Sequence, residues 1–225
     1  MTTADIVLDD LLQARFSCRG FLSETVPPET VRRMFELAQR TASWCNSQAW
    51  QVTLVSGEDV ATFSKVLLDR VTTGPEAPDI QGPEAYEGVY RDRRRGAGFG
   101  LYNAVGITRD DMDGRLRQML ENFRFFGAPH VAVISTPKAL GIYRAVDCGA
   151  YVSTLLTAAR SLGIDTIAQA AIAMYADAVH EHLGIPDDRD VVCAVSFGYA
   201  DPGHPANGFR TERASVDEAV SPLPG

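Results

Sequence analysis

Apolar residues recur at near-helical spacing over residues 3–14, at Ile6, Leu8, Leu11 and Leu12, which predicts a helix. A second helix is expected from Pro27-Pro28-Glu29, since proline suits a first turn, with Val31, Met34, Phe35 and Ala38 on one face. Strict alternation over Trp50–Val55 predicts a half-buried strand, and 58–70 returns to a helical pattern. Residues 72–96 then break every period. With three prolines, several glycines and a charge run, they read as a long functional or disordered loop. Helices are expected at 98–105 and 110–124. The second half is more regular: strand 130–136, a long helix 143–162 with small residues, strand 164–168, helix 175–183 stopped by Gly184 and Pro186, and a buried strand 190–197. The tail from 200 to 225 is rich in proline, glycine and polar residues and carries no core of its own.

Helices and strands intermix without a repeat, a linker or a composition shift. That predicts one α+β domain over residues 1–225 rather than a doubly wound sheet. At 225 residues, 45% apolar and 22% charged, the chain can bury a sizeable core. A net charge of −8 disfavours nucleic acid and anionic membranes as partners, so an anionic ligand needs a local basic site. No apolar run approaches the ~18 residues of a membrane span. The acidic start does not read as a signal peptide. The four cysteines form no CxxC pair, which suits a reducing cytoplasm.

Several familiar chemistries are missing. Gly96-Ala97-Gly98-Phe99-Gly100 lacks the GxGxxG spacing, follows Arg93-Arg94-Arg95 rather than a strand, and reads as a flexible loop. His180 and His182 point about 200° apart on a helix, so they cannot share a metal and read as a solvated face. Cys45 lies near no partnered histidine and reads as a small apolar residue rather than a nucleophile. The basic turn Arg15-Phe16-Ser17-Cys18-Arg19 stands apart. If extended, it points Arg15, Ser17 and Arg19 one way, which suits a phosphate or a carbonyl-rich ring. The same residues also read as a solvated basic turn. A second basic cluster, Arg210-Thr211-Glu212-Arg213, is either a charged tail or the other half of one anion site.

Three separated stretches resemble the nitroreductase family of FMN enzymes. ARFSCRGF resembles its R-x-S-x-R-x-F turn, and TASWCNSQAW resembles its A-P-S-x-x-N-x-Q-P-W segment. GIDTIAQAAIAMYADAVHEHLGIPDD, VVCAVSFGYADP and NGFRTERASVDEAV resemble the C-terminal half of a bacterial nitroarene-reductase subgroup, as does GLYNAVGITRDDMDGRLRQMLENFRFFGAPH. Ala42 and Ala49 stand where the family has prolines, and each substitution removes a conformational lock.

The resemblance implies a central mixed or antiparallel sheet flanked by helices, and an intertwined homodimer with C-terminal exchange. It implies FMN, with NADPH or NADH as donor. Hydride would pass to nitroaromatic, quinone or similar small acceptors in a ping-pong cycle, with no catalytic side chain required. Arg15, Phe16, Ser17 and Arg19 would hold the FMN phosphate and part of the ring, with Arg213 and Arg210 completing the phosphate clamp. Ala42, Ser43, Trp44, Asn46 and Gln48 would pack on the flavin of the other subunit. Ala168, Gln169, Ala170 and Ala171 would lie along its other face. A lid over about 72–102 would present Tyr86, Phe99 and Tyr102 to substrate. Two rival readings are a reductive dehalogenase, or another flavin reaction on the same scaffold, and a flavin-binding dimer with little turnover.

Overall fold

The apolar runs become four strands: β1 Gln51–Ser56, β2 His130–Pro137, β3 Asp165–Gln169 and β4 Arg189–Gly198. A computed structural model describes residues 2–221 of the chain. The strands join in the order β1-β2-β4-β3, and every pair is antiparallel. The sheet is thus antiparallel rather than mixed. Val131, Ala132, Val133 and Ile134 of the central β2 are all fully buried. A strand covered on both faces needs a continuous apolar run, and β2 supplies one.

Among the described residues there are eight α-helices: α1 Thr3–Ala14, α2 Pro28–Ala38, α3 Glu58–Thr73, α4 Gly88–Ala104, α5 Met112–Leu120, α6 Tyr143–Ser161, α7 Ala176–Leu183 and α8 Val216–Ala219. On one face α3 and α7 bring Phe63, Leu67 and Val179 against Val131 and Val133. On the other, α2 and α6 bring Met34, Tyr151 and Leu155 against Ala132 and Ile134. The one-residue alternation along β2 divides the two cores, the signature of a pleated central layer. No helix among the described residues is long and apolar enough to cross a membrane.

Three expectations need correction. The break over 72–96 is helical at both ends: α3 runs on to Thr73, and α4 starts at Gly88 and carries Arg93-Arg94-Arg95-Gly96-Ala97-Gly98-Phe99-Gly100 inside it. Each helical glycine costs about 1 kcal/mol against alanine. At Gly100 the reason is contact, because an added Cβ would lie 2.3 Å from the Phe209 ring. Tertiary packing thus overrides local propensity. The single helix expected over 110–124 is instead α5 followed by a 3-10 stretch, Glu121–Gly127, where Phe125 and Phe126 both take φ of +54° and sit in the core.

The pair His180 and His182 is not a solvated face. His180 Nε2 is 2.8 Å from Asp79 Oδ2 and its Nδ1 is 2.8 Å from the Ile185 carbonyl, while His182 stacks on Phe63. The tail is anchored at its start, where Ala206 and Asn207 are buried against the body, while residues 211–220 are exposed. Residues 222–225 of the expected C-terminal extension lie outside the described residues.

Candidate active site

α1 stops at Ala14, and the chain turns extended at Arg15, with φ −70° and ψ 132°. The segment then runs beside β3, the free edge of the sheet. Ser17 bridges Thr166 in parallel, and the Cys18 N–H donates to the Thr166 carbonyl at 3.0 Å. This contact covers an exposed edge and fixes the basic turn to a rigid strand. Cys18 itself is buried, its Sγ–H donating to the Gly20 carbonyl, and burial pushes its pKa up to about 12, so it is an inert thiol.

The tail reaches the same place from the other end of the sequence. Its anchor is Asn207, on a 3-10 turn over Pro205–Gly208. The Asn207 Oδ1 accepts from the Arg19 N–H at 2.8 Å, and its Nδ2 donates to the Gly20 and Asp201 carbonyls at 2.8 and 2.9 Å. Gly20 is needed there, because a Cβ would lie 2.3 Å from the His204 ring. Arg210 then donates to the Asn207 carbonyl at 2.6 Å and lays its guanidinium 4.1 Å from the centre of the Phe16 ring.

The two basic clusters therefore meet. Arg15, Phe16, Ser17 and Arg19 line one side of a cavity of about 590 Å³, and Phe209, Arg210, Thr211 and Arg213 line the other. Among the described residues, none of its four arginines is within 4.0 Å of a carboxylate. Burial lowers the pKa of Arg19, partly countered by Cys18, so its charge is held at a cost that an anion would offset. The volume lies inside the roughly 300–1,000 Å³ of small-molecule pockets. Four donor forks around such a space suit a phosphorylated ligand with a ring attached.

The other expected site residues fall at separate places within one chain. Trp44, Cys45 and Asn46 form a 3-10 turn in which Cys45 and Asn46 take positive φ, as does Gln48. Asp147 of α6 holds this turn, accepting the Trp44 N–H at 3.1 Å and the Ser47 hydroxyl at 3.0 Å. Ser43 Oγ accepts the Gln48 N–H. These bonds hold the turn between Ala42 and Ala49. Trp44 remains exposed, its ring 4.2 Å from that of Tyr143. Ala168 and Gln169 end β3, the strand that the basic turn borders, and Ala170 and Ala171 open a 3-10 stretch. Gln169 is buried, its side chain donating to the Asn122 carbonyl and accepting from the Ser196 hydroxyl, which braces the end of the strand. Tyr86 precedes α4 beneath Arg94, and Phe99 and Tyr102 border a smaller cavity of about 270 Å³. The lid aromatics and the anion cavity thus do not share walls in one chain. Asn207, Phe209 and Thr211 line or anchor the site beside the arginines without being singled out by the sequence, and the role of Asn207 depends on a contact 188 residues away. Among the described residues, no three His, Cys, Asp or Glu side chains could share a metal ion.

The nitroreductase family profile matches residues 12–199. The chain belongs to the nitroreductase family. This family member is 38% identical over 215 residues to nitroreductase NfnB of Mycolicibacterium smegmatis, covering 93% of this chain and 90% of that protein. It is 35% identical to a 4-nitrobenzoate reductase of a Nocardioides species, over 95% of this chain and 88% of the relative. The crystal structure of the FMN-dependent nitroreductase NfnB from Mycobacterium smegmatis in complex with NADPH superposes with a TM-score of 0.93. Identity there is 35%, with 97% of this nitroreductase and 98% of that chain covered. The FMN- and NADPH-dependent NfnB of a Sphingopyxis strain gives the same TM-score at 30% identity, over 97% of this chain and 99% of that one.

Proposed function

We propose that this chain is an FMN-dependent oxidoreductase that passes hydride from NADPH or NADH to nitroaromatic, quinone or similar small acceptors. The observation that carries the reading is the meeting of two distant basic clusters in one cavity without a carboxylate between them. The residues fit FMN. Arg15, Arg19, Arg210 and Arg213 offer bidentate donors to a phosphate, Ser17 a short one, and Phe16 and Phe209 apolar surface for a ring. When bound, FMN supplies the two-electron hydride chemistry, and donor and acceptor take turns at it. The chain supplies placement and charge. Its guanidinium groups favour negative charge in the cavity, and the edge of β3 keeps the basic turn rigid. No side-chain acid or base is required.

The working form we infer is a homodimer. α1 buries none of its residues, and Ile6, Val7, Leu8 and Leu12 are each about half exposed, at 49–52%. Twelve residues make a marginal helix in water, so this face calls for a cover. Ile142, Val146 and Trp44 add exposed apolar surface by the start of α6. Residues 211–220 are likewise exposed along their whole length, Val216 and Val220 included, which suits C-terminal exchange with a partner. In such a dimer the Ala42–Gln48 loop of one chain would reach the cofactor of the other. Four free cysteines suit a reducing compartment such as the cytoplasm.

Steady-state kinetics test the reading. Varying NADPH at several fixed nitroarene concentrations should give parallel double-reciprocal lines. Intersecting lines, or no oxidation of either nicotinamide, would contradict it.

A further inference from the structure

Phe99, Tyr102 and Asn103 of α4 form one wall of the smaller cavity, about 270 Å³; Ile107, Arg109 and Arg115 form the rest. Arg115 lays its guanidinium over the Tyr102 ring, 5.3 Å from the centre. Its Nε is buried and has no hydrogen-bond partner. Such an unmet charged donor is costly. Arg109, too, has no carboxylate within 4.0 Å among the described residues.

The neighbouring acids are otherwise engaged. Asp111 caps α5 through the Gly114 N–H at 2.7 Å and faces Arg117 at 3.9 Å. Asp110 is exposed, and the Thr108 hydroxyl, ahead of Arg115, holds its carboxyl below its usual pKa. Two cations, two aromatic rings and an amide therefore share a space just below the roughly 300 Å³ at which pockets for larger ligands begin. The size suits one ring with a small anionic substituent and is short of an adenosine phosphate.

We propose that this cavity binds a single-ring aromatic carboxylate, with the ring against Phe99 and Tyr102 and the carboxylate between Arg109 and Arg115. Its role in turnover rests on the oxidoreductase reading: the preferred acceptors are then nitroarenes bearing an acidic group. A planar ring carries the apolar contact, and a guanidinium fork matches a carboxylate in shape and charge.

The test uses the FMN-loaded protein in two parts. Calorimetric titration with benzoate and with benzamide, its neutral isostere, reads the site itself. Steady-state KM for 4-nitrobenzoate against 4-nitrobenzamide reads its use. Wild type should prefer each acid by about tenfold or more, the scale of one charge-assisted hydrogen bond. Arg109→Gln and Arg115→Gln should each bring the acid-to-amide ratio toward one. Arg109 is exposed, so its variant tests the site even if loss of the Arg115–Tyr102 stack unfolds the other.

Equal affinity for acid and amide in wild type overturns the proposal, as does a ratio that survives both substitutions. A KM increase for NADPH but not NADH, with the acid-to-amide ratio intact, assigns the arginines to the nucleotide phosphate and also overturns it. Benzoate selectivity without any nicotinamide oxidation would keep this site and reject the oxidoreductase reading. Nitroarene turnover without acid preference would do the reverse.

Discussion

Asn207 is the residue on which the anion cavity turns. Its side chain accepts the Arg19 N–H and donates to two carbonyls, and its backbone carbonyl receives Arg210, so both basic clusters are set by a single residue. Asn207→Asp keeps the shape but replaces two donations with carboxylate–carbonyl repulsion, and it sets a competing anion beside Arg19. The expected outcome in a fluorescence titration is FMN affinity reduced by about tenfold or more, since each arginine–phosphate bond weakened by the shifted turn contributes roughly 1.5–3 kcal/mol. Wild-type affinity in the variant would show that the tail finds its place without this amide. The arginines were legible in the sequence because clustered positive charge is conspicuous in a chain of net charge −8. Asn207 was not, since an amide in a polar tail looks the same whether it is buried at 9% exposure or solvated.

At the scale of elements, the strands were readable from their apolar runs, and so was a helix over 98–105, while the first half of α4, over 88–96, was not. Helix α4 holds Gly96, Gly98 and Gly100, and only the Phe209 contact reveals why one of them is there. The loop before α4 is strapped to the body: the Ala77 N–H donates to the Met174 carbonyl at 2.8 Å, and Asp79 accepts from the Val191 N–H at 2.7 Å and from His180. Both ring nitrogens of His180 face acceptors, an arrangement that only the imidazolium satisfies fully. Burial pulls the pKa of His180 down and Lys138 opposes its charge, but the Ile185 carbonyl and Asp79 outweigh them and leave it raised. A raised folded-state pKa gives stabilisation that is complete below the unfolded value of about 6.5 and fades as pH rises through the folded value. The melting temperature of wild type minus that of His180→Gln should therefore be largest near about pH 6 and shrink toward about pH 9. A difference that is constant or grows with pH would mean that His180 is neutral in the fold.

For the whole molecule, the α+β class was legible from the intermixed pattern of helices and strands, and one anion site from both basic clusters was one of two readings of the residues, but the contact that joins them was not legible. Sequence separation hides it: Arg19 and Asn207 are 188 positions apart. The exposed apolar face of α1 belongs to this scale as well. Sedimentation at nanomolar concentration should show twice the 24.4 kDa chain mass, because an interwrapped interface of roughly 2,000 Å² or more does not part on dilution. A folded, FMN-loaded 24.4 kDa species would contradict the dimer. The central claim is that both chain ends clamp one phosphate, and it is tested most directly by titrating the FMN-free protein with FMN and with riboflavin, its phosphate-free counterpart. Wild type should bind FMN far more tightly. Arg15→Ala and Arg213→Ala should each lower FMN affinity by roughly 10- to 150-fold while changing riboflavin affinity little. Equal affinity for the two flavins in wild type, or FMN affinity untouched by both substitutions, would contradict the account.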